Sequence, residues 1–191
     1  MKRHGLVGLV LVAACLGPRA DSTAFFMLSP APPAAAESPV PVRVGLGPIS
    51  IPRYLDRLQM VHRVSDNQLA VSEVDRWAEP LADNIARTLE ENLAALLPGS
   101  SYIAFPWYAS EEPDLALALE VRRFEADSAG AVVLDATWRL ARAGTPIDDG
   151  AALIEDQADG AGRSAAVAAH SRALAELSRQ IATAVRGAAG R

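Results

Sequence analysis

The sequence predicts an α/β (α+β) domain in which an antiparallel-rich sheet carries two principal helices on one face. Three observations predict it. Leu81, Ile85, Leu89 and Leu93 recur every four positions between Pro80 and Pro98, with Ala82, Ala86, Leu96 and Leu97 widening the stripe. Leu115, Leu117, Leu119 and Val121 alternate with more polar residues, as do Val132, Leu134, Ala136, Trp138 and Leu140 across a turn at Ser128, Ala129 and Gly130. From Ser164 to about Arg186 an Ala-rich stretch places Val167, Leu174, Leu177, Ile181 and Val185 on one helical face.

The first fifteen residues set the compartment. Lys2 and Arg3 precede a short apolar run from Leu6 to Val12, and the small residues Ala13 and Ala14 lead into Cys15. This reads as a secretory signal, and the run Val12-Ala13-Ala14-Cys15 resembles the bacterial lipobox, whose cysteine sulfur receives a diacylglycerol. The apolar run falls short of the ~20 residues that a membrane span needs. Cys15 is the only cysteine, so an intramolecular disulfide is excluded; a secreted protein with a free thiol is the competing reading. Leu16 rather than Asp follows the cysteine, which favours the outer membrane over inner-membrane retention. Residues 1–14 are thus a signal peptide, 15–23 a lipidated cysteine and tether, 24–187 a single domain, and 188–191 a disordered tail. Eight tether residues at ~3.1 Å each reach about 25 Å.

Half of the residues are apolar, and the length suits one domain of roughly 160 ordered residues with a core of its own. Removing Lys2 and Arg3 from the 18 basic residues leaves 16 against 23 acids, a formal charge of −7. That balance argues against nucleic acid, whose phosphates require a basic stripe. The membrane contact expected here is made by acyl chains, without a polybasic surface.

Taken in order, Phe25, Phe26, Met27 and Leu28 interrupt a Pro/Ala-rich stretch, so residues 24–28 are read as a short strand returned to the domain. Val42, Val44 and Leu46 alternate before Gly45, Gly47 and Pro48 bend the strand. Residues 59–64 and 68–72 flank Ser65, Asp66 and Asn67 as a hairpin. Pro80 suits the first helical position of the helix that follows, Asp83 complements its dipole, and Pro98 with Gly99 ends it. Trp77 is expected to pin the entering chain. Tyr102, Ile103, Phe105, Trp107 and Tyr108 read as a strand broken at Pro106, at a sheet edge or as a core lid, with a ligand stack as the competing reading of so dense an aromatic run, and a further strand is expected from about Gly150 to Gln157. His170 falls on the apolar stripe of the last helix, where a lone histidine with no metal-spaced partner reads as a core residue.

The search for catalytic chemistry returns little. His62 and His170 are the histidines beyond the signal segment, and no Gly-x-Ser-x-Gly elbow, phosphate-binding loop or zinc motif occurs. Asp148 with Asp149, and Glu111 with Glu112, are adjacent acids read as solvated turn charges, because nothing separates their pKa values. No enzyme and no cofactor are expected.

Phe25, Phe26 and Leu28 are similar to a Tyr-Tyr-x-Leu start. Pro48, Ile51, Pro52, Leu55, Asp56, Arg57, Gln59 and Val61 follow, with Asn67 and Leu69 in the hairpin. Glu73, then the run Arg76-Trp77-Ala78-Glu79-Pro80-Leu81, lead to Ile85, Arg87, Leu89, Asn92 and Leu93. With the lipobox, this pattern resembles the ABC-type transport auxiliary lipoprotein family, strongly over residues 12–97. The run at 76–80 is its specific part. Phe-Phe in place of Tyr-Tyr is a departure that removes two hydroxyls.

The resemblance implies a non-enzymatic envelope part that accompanies transport systems built on mammalian-cell-entry (MCE) domain proteins, which carry lipids between membranes. It would lie on the periplasmic face of the outer membrane, held by acylated Cys15, and dock an MCE-domain partner. Because MCE assemblies are rings, a homo-oligomeric ring is a further implication. Tyr54, Arg57, Gln59 and Arg76 are the candidate partner contacts. Arg57 and Arg76 have a second use open to them, pairing with Asp56, Glu73 or Asp75 to fix the fold. A periplasmic lipid-binding carrier, or a lipoprotein regulator of another envelope machine, would share the tether and the lack of chemistry.

Overall fold

The computed structural model describes residues 22–30 and 38–190, which hold eight strands and two long helices. The strands are β1 (Ala24–Phe26), β2 (Arg43–Ser50), β3 (Gln59–Ser65), β4 (Gln68–Trp77), β5 (Ser101–Ala104), β6 (Leu115–Asp127), β7 (Ala131–Arg142) and β8 (Thr145–Gln157). Helix α1 is Leu81–Leu96 and helix α2 is Arg163–Ala189.

β6 is the axis of the sheet. Along one side it runs antiparallel to β7, which pairs in turn with β8. Along its other side the first half pairs parallel with β2, from Val44 opposite Leu115 to Ser50 opposite Glu120. Its last residues pair parallel with β3, His62 opposite Ala126 and Arg63 opposite Asp127. β2 carries β5 at its far edge, and β3 carries β4 and then β1. The long pairings are antiparallel, as expected, and the short ones that join β1, β2, β3 and β5 to the sheet are parallel.

Period-two burial follows the sequence pattern. Leu115, Leu117, Leu119 and Val121 of β6 and Val132, Leu134, Ala136 and Leu140 of β7 are at most 3% exposed. The bulge at Arg122 and Arg123, both set against Asp135, resets the alternation so that Phe124 and Ala126 also face inward. α1 covers this face with Leu81, Ile85, Leu89 and Leu93, and α2 with Val167, Leu174, Leu177, Ile181 and Val185, in one continuous core. The alanines of α2 let it lie close to the sheet, and its Ser178 meets Asn92 of α1 at 3.2 Å. Trp138 lies across β8 at Gly150, where a Cβ would fall 2.4 Å from the indole ring, so this position requires glycine.

Several boundaries differ from expectation. Pro80 caps α1 from one position ahead instead of opening it, because its ψ of 134° is extended. β4 continues to Trp77, since β1 and β3 supply pairing partners that sequence periodicity does not reveal. β5 ends at Ala104; Phe105 and Pro106 follow in a cis peptide, and Trp107 then folds back over Gly45. β8 begins at Thr145, which places Asp148 and Asp149 on a strand rather than in a turn. α2 runs to Ala189, past the expected end near Arg186; Ala188 is fully buried and its carbonyl accepts from Arg142 at 2.8 Å. The signal segment, Cys15 and most of the tether lie outside the described residues.

Candidate docking surface

The run Arg76-Trp77-Ala78-Glu79-Pro80 joins β4 to α1, and its residues divide between inside and outside. Trp77 is 3% exposed and meets the His170 ring edge-on at 5.8 Å, while Phe124 meets the same imidazole at 4.8 Å. His170 donates its Nδ1 proton to the Ala166 carbonyl at 2.7 Å. Burial drives its pKa down to about 4, so the ring is neutral and acts as a core residue, as its place on the stripe implied. Glu79 accepts from Arg87 Nε at 3.1 Å; the same guanidinium donates to Glu91 Oε1, to Asn84 Oδ1 at 2.9 Å and to the Leu28 carbonyl. Leu28 N–H closes the loop on Asn84 Oδ1 at 3.2 Å. The specific motif is therefore a clamp that fixes the exit of β1 against the start of α1.

A second clamp lies under the β2–β3 turn. Glu125 is 1% exposed, and its carboxylate accepts from Tyr54 Oη at 2.8 Å, Arg63 Nε at 2.8 Å, Arg123 Nε at 3.2 Å and its neighbour's backbone N–H. Burial alone would raise this carboxyl; the hydrogen bonds from Tyr54, Arg63 and Arg123 outweigh it and hold the pKa below the ordinary carboxylate value. Tyr54 is pushed up from the ordinary phenol value, first by burial and then by its bond to Glu125. Its hydroxyl is thus committed inside the fold, which makes Tyr54 a support of the turn. Glu125 and Arg63 did not emerge from the sequence, where they are single charges in amphipathic strands.

Among the other candidates, Gln59 and Arg76 are half-buried, as Tyr54 is. Arg57 is exposed on the turn that Tyr54 anchors. Gln59 lies opposite Arg76, and Arg76 opposite Phe25, so Gln59, Arg76 and Phe25 form one row across β3, β4 and β1. The row lies on the sheet face opposite Trp77 and Phe26, which point into the core. Neither Arg57 nor Arg76 makes an ion pair among the described residues, and Asp75 is held by Arg163 at 3.0 Å and by Ser72. The fold-fixing ion pairs considered for these arginines do not form. Cys15 lies outside the described residues.

Among the described residues no three His, Cys, Asp or Glu side chains converge to hold a metal, and no helix is long and apolar enough to cross a membrane. Buried polar clamps around Glu125 and Arg87 thus flank a surface on which Arg57 and Arg76 have no carboxylate partner among the described residues. The model of the ABC-type transport auxiliary lipoprotein component family matches residues 26–182, and the chain belongs to that family. Membership makes it a non-catalytic, lipid-anchored auxiliary component of a transport system, on the periplasmic side of the outer membrane.

Among curated proteins, the intermembrane transport lipoprotein PqiC of Escherichia coli (strain K12) is 27% identical over 92 residues, 48% of each chain; PqiC of Shigella flexneri matches equally. The match thus spans about half the length of these relatives. Two crystal structures share the fold. One, of an uncharacterized protein, has a TM-score of 0.72 at 23% identity and covers 86% of this chain and 99% of its own. The other, from Xanthomonas campestris, has a TM-score of 0.72 at 18% identity and covers 88% and 97%.

Proposed function

We propose that this lipoprotein docks the periplasmic end of an MCE-domain lipid-transport assembly at the outer membrane, held there by diacylglycerol and palmitate chains on Cys15. The name of the PqiC relatives, intermembrane transport lipoprotein, supports the process. One observation carries the docking reading: Arg57 stands exposed and, among the described residues, without an ionic partner, on a turn joined to buried Glu125 through Tyr54. A rigid turn that presents a free guanidinium loses little conformational entropy on binding, so its contact contributes nearly in full. Gln59 adjoins it, and Arg76 borders the same surface. The partner contact is an acidic or carbonyl-rich surface on the MCE protein. A homo-oligomeric ring of this lipoprotein would match the symmetry of such a partner; light scattering of the detergent-solubilised protein tests it.

The deciding experiment is capture of a C-terminally tagged copy from detergent-solubilised native membranes, with partners identified by mass spectrometry. Wild type recovers an MCE-domain protein, and Arg57→Glu loses it with an unchanged melting temperature. Recovery of cell-wall enzymes, or of bound lipid with no protein partner, would replace this reading with one of its rivals. A fall in melting temperature for Arg57→Glu would return the residue to a role in the fold.

A further inference from the structure

We infer that the free edge of the sheet at β1 rests on the phospholipid bilayer, with Phe25 and Met27 in the interfacial layer and Arg76 against anionic headgroups. The inference rests on the reading of Cys15 as the lipid anchor. Among the described residues β1 pairs with β4 on one side only, so its outer edge has no strand partner there. Phe25 is 64% exposed and Met27 45%, although both lie within three residues of the buried Leu28. Met27 also lines an open cleft of about 300 Å³ with Pro30 and, from the first turns of α2, Val167 and Ala168, alongside Ser29, Ser171 and Arg172. Large apolar side chains clustered at an unpaired edge mark a contact surface.

The chain itself selects the occupant. Nine peptide units separate Cys15 from Ala24, and a chain that long spans at most about 30 Å when fully extended. An acylated Cys15 therefore keeps β1 closer to the bilayer than any strand that follows it can be required to stay. Charge agrees with that placement. Arg76 lies in register beside Phe25 on the same face, and among the described residues it has no carboxylate partner. An aromatic ring beside an unpaired guanidinium is the pairing that favours a headgroup layer, where the ring is partly buried and the cation meets phosphate. The anchor supplies the affinity, and this edge sets the orientation. It turns the β2–β3 turn and Arg57 away from free rotation and toward one fixed presentation to the periplasm.

The test uses the lipidated full-length product in vesicles of phosphatidylethanolamine and phosphatidylglycerol. Acylation consumes the thiol of Cys15, so Phe25→Cys introduces a single labelling site for an environment-sensitive fluorophore, and Leu153→Cys on β8, 67% exposed, serves as the control. Metabolic labelling with palmitate and flotation with the vesicles first establish the anchor; failure there refutes the anchor reading and removes the basis of this inference. With the anchor established, the Phe25 probe shifts to the blue and is quenched by spin-labelled lipid, while the Leu153 probe does neither. Arg76→Glu weakens the quenching at Phe25 in anionic vesicles and leaves it unchanged in purely zwitterionic ones. Equal, water-like emission at both sites overturns the proposal. So does a Phe25 probe that is protected in native membranes alone, since a protein then covers the edge.

Discussion

His170 makes stability depend on pH in a way that one substitution can isolate. The imidazole is buried between Trp77 and Phe124, and its pKa falls from 6.5 to about 4 because burial penalises the charged ring. Arg163 opposes protonation as well, while Glu125 and the Ala166 carbonyl favour it. The unfolded chain binds the proton first, so the contribution is fully present above pH 6.5 and is lost as pH falls toward 4. The full difference is about 3 kcal/mol, and about 2 kcal/mol of it is already lost at pH 5. His170→Asn keeps a neutral N–H near the Ala166 carbonyl and removes the titration; it costs about 1–3 kcal/mol at pH 7 through lost ring packing. Urea denaturation followed by tryptophan fluorescence, at pH 7 and pH 5, measures both proteins. The variant should lose about 2 kcal/mol less than wild type between the two pH values, because carboxylates common to both cancel. Equal losses in both proteins would refute the neutral buried state of His170.

Glu125→Gln leaves Arg63 and Arg123 without their carboxylate and should cost about 3–5 kcal/mol by chemical denaturation, with faster hydrogen exchange at residues 52–58 as the sign that the turn has lost its support. Gly150→Ala drives a methyl group into Trp138 and should cost about 1–3 kcal/mol, read as a lower melting temperature with an altered near-UV spectrum. Thr88 is fully buried on α1, and its hydroxyl has no partner among the described residues; Thr88→Val should stabilise the fold by about 1 kcal/mol in urea.

Much of the architecture was legible because burial is periodic. The stripe of α1 and the alternation of β6 and β7 are direct images of a helix and a hairpin with one face in a core; their principal positions are buried, while Ala82, Ala86 and Leu96 at the margin of the α1 stripe are half-buried. Strand order was not legible, because parallel pairings such as β2 with β6 join segments about seventy residues apart and leave no local trace. The extension of β4 to Trp77 was hidden for the same reason. At the candidate surface, Arg57, Gln59 and Arg76 were chosen from a pattern, and the structure sets Gln59 beside Arg76 while it withdraws Tyr54 into the Glu125 cluster. Glu125 was invisible because the bulge at Arg122 and Arg123 turns Phe124 and Ala126 to the core and sets Glu125 on the other face, where Tyr54, Arg63 and Arg123 bury it, and a bulge shifts the period without a signature of its own in the sequence. The row from Gln59 to Phe25 likewise depends on register, which sets which residues become neighbours across strands.

The placement of the two clamps bears on how a protein without chemistry can contribute to transport. Glu125 fixes the turn that carries Arg57, and Arg87 fixes the exit of β1, so the surface between them is supported from both ends. Each immobilised side chain that a flexible surface must order on binding costs about 0.5–1.5 kcal/mol, and a surface already ordered avoids that loss. On the proposed reading, a lipid anchor within about 30 Å adds a second saving, because it converts docking of the periplasmic partner into a local encounter at high effective concentration. Under those conditions a small contact centred on Arg57 is enough, and a large apolar interface is unnecessary. It follows that moving the anchor should matter more than trimming the contact. Inserting twenty Gly/Ser residues after Leu16 dilutes the docking surface without touching it, and partner capture should fall while the melting temperature stays constant. Capture unchanged by the insertion would mean that the folded surface alone supplies the affinity, and that the anchor merely sets the location.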